Sequence, residues 1–197
     1  MSPDPERRPQ LFLIFGGPGA GKGTQASLLS QSLGVPHISS GELVREHQRH
    51  DTEGVMSSGE LLPDDLVTRV VRARLEQPDA AQGAILDGFP RTVAQARALD
   101  AWVAQRGGAV RAAFYLDVPP EDLVARIVGR GESSHRGDDT AAVAKRRVTI
   151  FNREMPPILE HYATNGQLYR TDGAQPVEQI YQQIIQELEG PPPPGRT

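Results

Sequence analysis

The residues whose types and spacing most plainly suit chemistry stand near the N-terminus, in Gly16-Gly17-Pro18-Gly19-Ala20-Gly21-Lys22-Gly23-Thr24. Glycines at this density let the backbone approach a ligand and turn without Cβ clashes. Successive N–H groups can then point inward as an anion cradle. A helix starting at about Lys22 would add its positive N-terminal end at the same spot. Lys22 supplies a mobile full charge for the outer phosphates of a polyphosphate, and Thr24 a hydroxyl near them or their Mg²⁺. The plainer alternative is a glycine-rich turn beside an exposed lysine. Against it stands the apolar run 11–15 immediately before the loop, a strand signal. In one detail the loop departs from Gly-x-x-x-x-Gly-Lys-Ser/Thr: Gly23 follows the lysine, and the hydroxyl comes one residue later.

Further along, Asp87 closes the apolar run 83–87. A carboxylate there could cap a turn; beside a phosphate loop it is placed to hold Mg²⁺ through water. Arg126 and Arg130, four apart, share one face of a helix expected to end at Gly129-Arg130-Gly131, which by itself also suits an ordinary solvated surface. Arginine recurs at Arg91, Arg136 and Arg147, a residue type whose planar fork stays charged and can grip phosphate oxygens in pairs. Ser39-x-x-Glu42 reads as a capping box opening a helix. His37, His47, His50, His135 and His161 show no metal-ligand spacing and read as incidental. There is no cysteine, which excludes disulfides, thiolate chemistry and a cysteine zinc site.

These groups need elements to hold them. Runs 11–15, 83–87 and 112–118, and more faintly 166–171, are short and apolar, as strands buried on both faces of a parallel sheet are. Between them lie helical stripes: Leu66, Val67, Val70, Val71 and Leu75 behind Pro63-Asp64-Asp65, then Leu123, Val124, Ile127 and Val128 behind Pro119-Pro120. The clearest 3.6-residue period is Val177, Ile180, Tyr181, Ile184, Ile185 and Leu188. Trp102 falls beside Val93 and Leu99 and reads as core. Alternation of this kind implies an α/β sheet with ligands at the carboxyl ends of its strands.

Composition agrees with one globular domain: 197 residues, 38% hydrophobic and 23% charged. The net charge, 21 − 25 = −4, argues against a nucleic-acid partner. The leading apolar run is too short for a signal-peptide core or a membrane span, so no membrane association and a cytoplasmic location are expected. Residues 1–9 and 190–197 hold seven of the 17 prolines and read as tails. A proline-recognition ligand at 191–194 is the sharper alternative.

The loop Gly-Gly-Pro-Gly-Ala-Gly-Lys-Gly-Thr-Gln closely resembles the phosphate loop of adenylate kinases and related nucleoside monophosphate kinases. The resemblance continues along the chain. Ile38-Ser39-Ser40-Gly41-Glu42-Leu43-Val44-Arg45 is similar to the family's monophosphate-binding element, which implies Ser40 and Arg45 as AMP binders. Gly59-Glu60-Leu61-Leu62-Pro63-Asp64 resembles the stretch against the acceptor's base, implying Glu60, Leu61 and Leu62. Asp87-Gly88-Phe89-Pro90-Arg91 resembles the motif that reaches the acceptor phosphate, so Gly88, Phe89, Pro90 and Arg91 join the AMP set. Thr92 and Gln95 match adenylate kinases, whose glutamine reads the adenine edge; uridylate/cytidylate relatives tend to carry asparagine after the arginine.

On the donor side, the resemblance implies Gly19, Ala20, Gly21, Lys22, Gly23, Thr24, Arg126, Arg130 and Gln175 as ATP binders. Arg126 would pack on adenine, Arg130 would touch phosphates, and Gln175 would sit in the loop 171–175 against the base. His135-Arg136-Gly137-Asp138-Asp139 and Arg147 resemble the lid-end pair that clamps the transferring group. Lys22, Arg91, Arg130, Arg136 and Arg147 are thereby implied as catalytic, Arg136 and Arg147 also as AMP contacts, and Asp87 as a holder of Mg²⁺ through water. The resemblance implies a P-loop NTPase-type parallel sheet flanked by helices, forming a single kinase domain over 10–189. Within it fall an AMP-binding insertion, 39–62, and a short lid, 130–138, without structural zinc.

The link between Arg45 and Gly59 is a few residues shorter than usual, and Met155-Pro156-Pro157 departs from a common Thr-x-Pro. The implied reaction is MgATP + AMP ⇌ 2 ADP, by a monomer with Mg²⁺ as cofactor. Two rivals stay open. The acceptor could be UMP or CMP, against which Thr92 and Gln95 stand. A GTP-hydrolysing switch is the rival from another class, and no Asn-Lys-x-Asp guanine motif supports it.

Overall fold

The computed structural model describes residues 8–48, 63–134, 141–191 and 193. Five strands form one parallel sheet in the order β2-β3-β1-β4-β5. They are β1 (Gln10–Gly16), β2 (His37–Ser39), β3 (Gly83–Asp87), β4 (Ala109–Asp117) and β5 (Leu168–Asp172). Among the described residues seven helices alternate with them: α1 (Lys22–Leu33), α2 (Ser40–Gln48), α3 (Asp64–Leu75), α4 (Val93–Ala104), α5 (Pro120–Ser134), α6 (Ala141–Thr164) and α7 (Val177–Glu189).

The continuous apolar runs of the central strands follow from burial on both faces. Along β1, Leu11, Leu13 and Phe15 point into one core with Val71, Leu99, Trp102 and Ile158. Phe12 and Ile14 point into the other, with Leu29, Leu123, Ile127, Ile180 and Ile184. Side chains alternate sides along a strand, so both parities must be apolar when helices cover both faces. The helix α6 serves both cores: Ala144 and Val148 belong to the second, Met155, Ile158, Leu159 and Tyr162 to the first. Pro156 and Pro157 stand inside it, where each removes a backbone donor.

Four details correct the reading of the sequence. The strand β2 lies where only a helix start was expected, because three residues carry no periodicity and are strand only by pairing with β3. Expected to end around Gly129-Arg130-Gly131, α5 runs on to Ser134. Val177, counted in the apolar stripe of α7, is 51% exposed at its first turn, while Ile180 and Ile184 are buried. Pro9, assigned to the tail, accepts the Ala109 N–H at 3.2 Å and so joins the sheet's lower edge.

All five strands deliver their carboxyl ends to one side. From β1 the chain moves to β2 and β3 on one flank, then to β4 and β5 on the other. The loop after β1 therefore sits where the connections diverge, the place such sheets bind ligands.

Candidate active site

At that edge lies a cleft of about 490 Å³. Its floor is the loop from Gly16 to Gly21. Gly21 caps α1 with φ +89°, a left-handed conformation that glycine adopts without a Cβ penalty, and it makes no side-chain cap bond. The first N–H groups of α1 are thus left to the cleft, together with the positive end of the helix. Gly17 leaves room for α5: a Cβ there would lie 2.2 Å from Leu123 Cδ1, so the leucine side chain would have to shift. The Lys22 ammonium folds back over the loop, donating to the Gly16 and Gly17 carbonyls at 2.9 and 3.0 Å. Thr24 lines the same cleft from the first turn of α1.

Parallel register sets Asp87 beside Ile14 of β1 and Ser39 of β2, at the sheet's exit. Burial alone would raise its pKa. The His37 imidazole beside it and the charge of Lys22 outweigh burial, and the carboxyl lies below its ordinary value. His37 Nε2 stands 3.6 Å from Asp87 Oδ2, a charge contact too long for a good hydrogen bond. The histidine read as incidental is therefore part of the cleft wall. No local signal points to it, since the two residues meet only through β2–β3 pairing. His161 has a structural task instead, with Nε2 2.6 Å from Asp100 Oδ2, tying α6 to α4. The side chain of His47, and residues His50 and His135, lie outside the described residues.

Opposite the loop, a second set converges. Ser40, 3% exposed at the start of α2, donates from Oγ to the Gly88 carbonyl at 2.7 Å. Arg91 donates from Nε to the same oxygen at 2.8 Å. Desolvation in the cleft, then the charges of Arg147 and Arg45, lower the Arg91 pKa against the pull of Asp87. An arginine with this much reserve stays charged. Three guanidiniums gathered in one cleft, with Asp87 beside Arg91, make a receptor for an anion of more than one charge. Phe89 is fully buried and Pro90 lines the cleft, so this turn is a rigid mount for Arg91. Gln95, in the first turn of α4, lines the deeper wall beside Val67.

The structure does not bring every expected residue here. Arg126 reaches the cleft and donates to the Gly173 carbonyl at 3.2 Å, joining α5 to the loop after β5. Gln175, on that loop, is exposed and turned onto Asp172 Oδ2 at 2.8 Å, outside the cleft lining. Arg130 belongs to α5, but its side chain, like all of Glu60, Leu61, Leu62 and Arg136, lies outside the described residues. Asp64, expected only to start a helix, accepts hydrogen bonds from both Thr92 and Gln95. Phe151, Glu154 and Met155 of α6 also face the cleft without having been anticipated.

A family model described as adenylate kinase matches residues 14–167 of this chain. Among curated proteins, one called adenylate kinase from Stenotrophomonas maltophilia (strain R551-3) is 39% identical over 185 residues, 91% of this chain and 99% of the relative. A protein of the same name from Mycobacteroides abscessus is 41% identical over 182 residues, 89% and 97% of the two chains. Another, from Phocaeicola vulgatus, is 36% identical over 184 residues, 90% and 97%.

Proposed function

The chain belongs to the adenylate kinase family, and from that premise we propose how its own residues divide the work of transferring a phosphoryl group between ATP and AMP. It is a nucleoside monophosphate kinase, catalysing MgATP + AMP ⇌ 2 ADP. An oxygen of the AMP phosphate attacks the γ-phosphorus of ATP. The bond from that phosphorus to the β,γ-bridging oxygen breaks, and both products are ADP. No side chain need form a covalent intermediate, so catalysis consists of positioning and charge stabilisation.

One observation carries the division of roles: a single cleft holds two facing anion receptors, the loop with Lys22 on one side and Arg45, Arg91 and Arg147 on the other. The loop amides from Gly19 to Thr24 and the Lys22 ammonium hold the donor's phosphates. Ser40, Arg45, Arg91 and Gly88 take the acceptor's phosphate, and Gln95 its base, with Phe89 and Pro90 shaping the turn. Arg147, on the acceptor side, neutralises the group in transit, together with Arg91, Arg130 and Arg136. Arg126 lies along the donor's base, and Gln175 joins it only if its loop turns inward. Glu60, Leu61 and Leu62 complete the acceptor wall.

Asp87 fits a hydrated Mg²⁺. Its carboxylate is held ionised, and Gly23 beside it carries no side chain; a Cβ added there would stand 3.5 Å from Oδ2. Asp87 and the Thr24 hydroxyl would hold the ion through water. When bound, it neutralises charge across the donor's phosphates.

The segments 39–62 and 130–138 act as AMP-binding insertion and short lid within one domain spanning 10–189, and closure over both nucleotides excludes water. Among the described residues no helix is long and apolar enough to cross a membrane. The enzyme works as a cytoplasmic monomer. Steady-state ATP consumption measured with AMP, UMP, CMP and no acceptor tests the reading. AMP alone is expected to support rapid turnover; equal rates with UMP, or hydrolysis without acceptor, would refute it.

A further inference from the structure

Gln95 is 3% exposed, and both ends of its amide are engaged within the protein. Its Oε1 accepts the Arg91 backbone N–H at 2.7 Å, and its Nε2 donates to Asp64 Oδ1 at 2.8 Å. Asp64 arrives on a different element, as the first residue of α3. Its second oxygen accepts the Thr92 hydroxyl at 2.7 Å. Thr92 Oγ1 in turn accepts the Gln95 backbone N–H at 3.2 Å and so caps α4.

The chemistry of these partners dictates which way the amide faces. A carboxylate only accepts and a backbone N–H only donates. Turning the amide over would set its NH₂ against the Arg91 N–H and its oxygen against the carboxylate, two repulsive contacts in a buried site. In the observed sense the amide keeps one N–H and one carbonyl lone pair for a ligand in the cleft it lines. Their order is not free. They match a base edge that sets a ring-nitrogen acceptor beside an amino donor, and they oppose an edge that sets a ring N–H beside a carbonyl.

We propose that Asp64 is a specificity-determining positioning residue, which by holding the Gln95 amide in one sense selects 6-amino over 6-oxo purine monophosphates as acceptor. This deepens the reading of Gln95 as the residue that faces the acceptor's base, and it rests on that reading. Asp64 acts through Gln95 and touches no substrate in this role. Because it sits on α3, the same bonds tie the selecting amide to the helix that follows the AMP-binding insertion.

AMP and IMP are the probes, since they differ only in the donor and acceptor order of that edge. The measurement is kcat/KM for each with wild type, Asp64→Asn and Gln95→Ala. A carboxamide at 64 can accept or donate, so one of the two constraints on the amide is lost. The AMP-to-IMP ratio is expected to fall at least tenfold in Asp64→Asn, equivalent to about 1.4 kcal/mol, with kcat for AMP changed far less. A merely structural role for Asp64 would lower both substrates alike. An unchanged ratio in Asp64→Asn, with a collapsed ratio in Gln95→Ala, overturns the proposal and leaves the role of Gln95 standing. An unchanged ratio in Gln95→Ala overturns that role, and the proposal with it. Should Asp64→Asn fail to fold, Thr92→Val frees the other carboxylate oxygen. A smaller fall in the same ratio is then expected, and no fall overturns the proposal.

Discussion

Replacing Lys22 by methionine isolates one charge in the site while preserving most of the side chain's length. Loss of a positioned group that stabilises developing charge typically costs about 10²–10³ in kcat, or ~2.7–4 kcal/mol, and a loss of at least that size is expected here. The structure supplies the cost in stability separately. The ammonium makes two hydrogen bonds to loop carbonyls, at 2.9 and 3.0 Å. Charged hydrogen bonds are worth about 1.5–3 kcal/mol each at most. Both contacts are only part-buried, and a typical intramolecular hydrogen bond contributes about 0.5–1.5 kcal/mol net, so a total on the order of 1–2 kcal/mol is expected. In a chain of this size 1 kcal/mol moves Tm by roughly 2–4 °C, which predicts a fall of about 2–8 °C and a variant still folded at assay temperature. A coupled steady-state assay run in both directions, beside a thermal melt, measures both quantities. A folded variant with kcat/KM within tenfold of wild type would refute the assignment of Lys22 to the donor's phosphates.

Gln95→Ala is expected to weaken kcat/KM for AMP roughly ten- to hundredfold, as loss of one or two buried hydrogen bonds implies. It should also lower Tm, because the Arg91 N–H and Asp64 Oδ1 lose their partner; a normal preference for AMP over UMP and CMP would remove Gln95 from base recognition. Asp87→Asn should raise the Mg²⁺ concentration needed for half-maximal rate, and EDTA without added Mg²⁺ should abolish activity in wild type. Since the folded-state pKa of Asp87 is depressed below 3.8, its contribution to stability is present above that value and is lost as pH falls through and below it. The Tm gap between wild type and Asp87→Asn should therefore narrow in acid, and a gap constant with pH would contradict the sign. Burial raises the pKa of Glu187 against the hydrogen bonds from Gln183 and Thr171, so its stability contribution is fullest below the ordinary value of 4.5 and declines as pH rises. Glu187→Gln is expected to melt higher than wild type at pH 7 but not at pH 4; a lower Tm at pH 7 would be the contrary result.

What could be read in the sequence alone are features whose cause is local. The loop 16–24 announces itself because left-handed turns and close backbone approach demand glycine at those positions, and a charged side chain must follow at the helix start. Strands β1, β3 and β4 were legible because burial on both faces leaves unbroken apolar runs, and α3 because its helical period follows a proline and two acids. Family resemblance extended that reading to Ser40, Arg45, Arg91 and Arg147, which the fold gathers around one cleft. The contacts that join distant segments were not legible. His37 reaches Asp87 only because three residues of β2 pair with β3, and no residue near either one encodes the meeting. Asp64 and Gln95 are 31 residues apart on helices whose approach is decided by packing on the first core. The two prolines of α6 hid the longest helix among the described residues, whose stability comes from burying Ile158 and Tyr162 rather than from propensity. Backbone geometry and periodicity are written in neighbouring residues. The partner of a buried polar side chain is chosen by the packing of the whole chain, and that choice set the orientation of Gln95 and the charge state of Asp87.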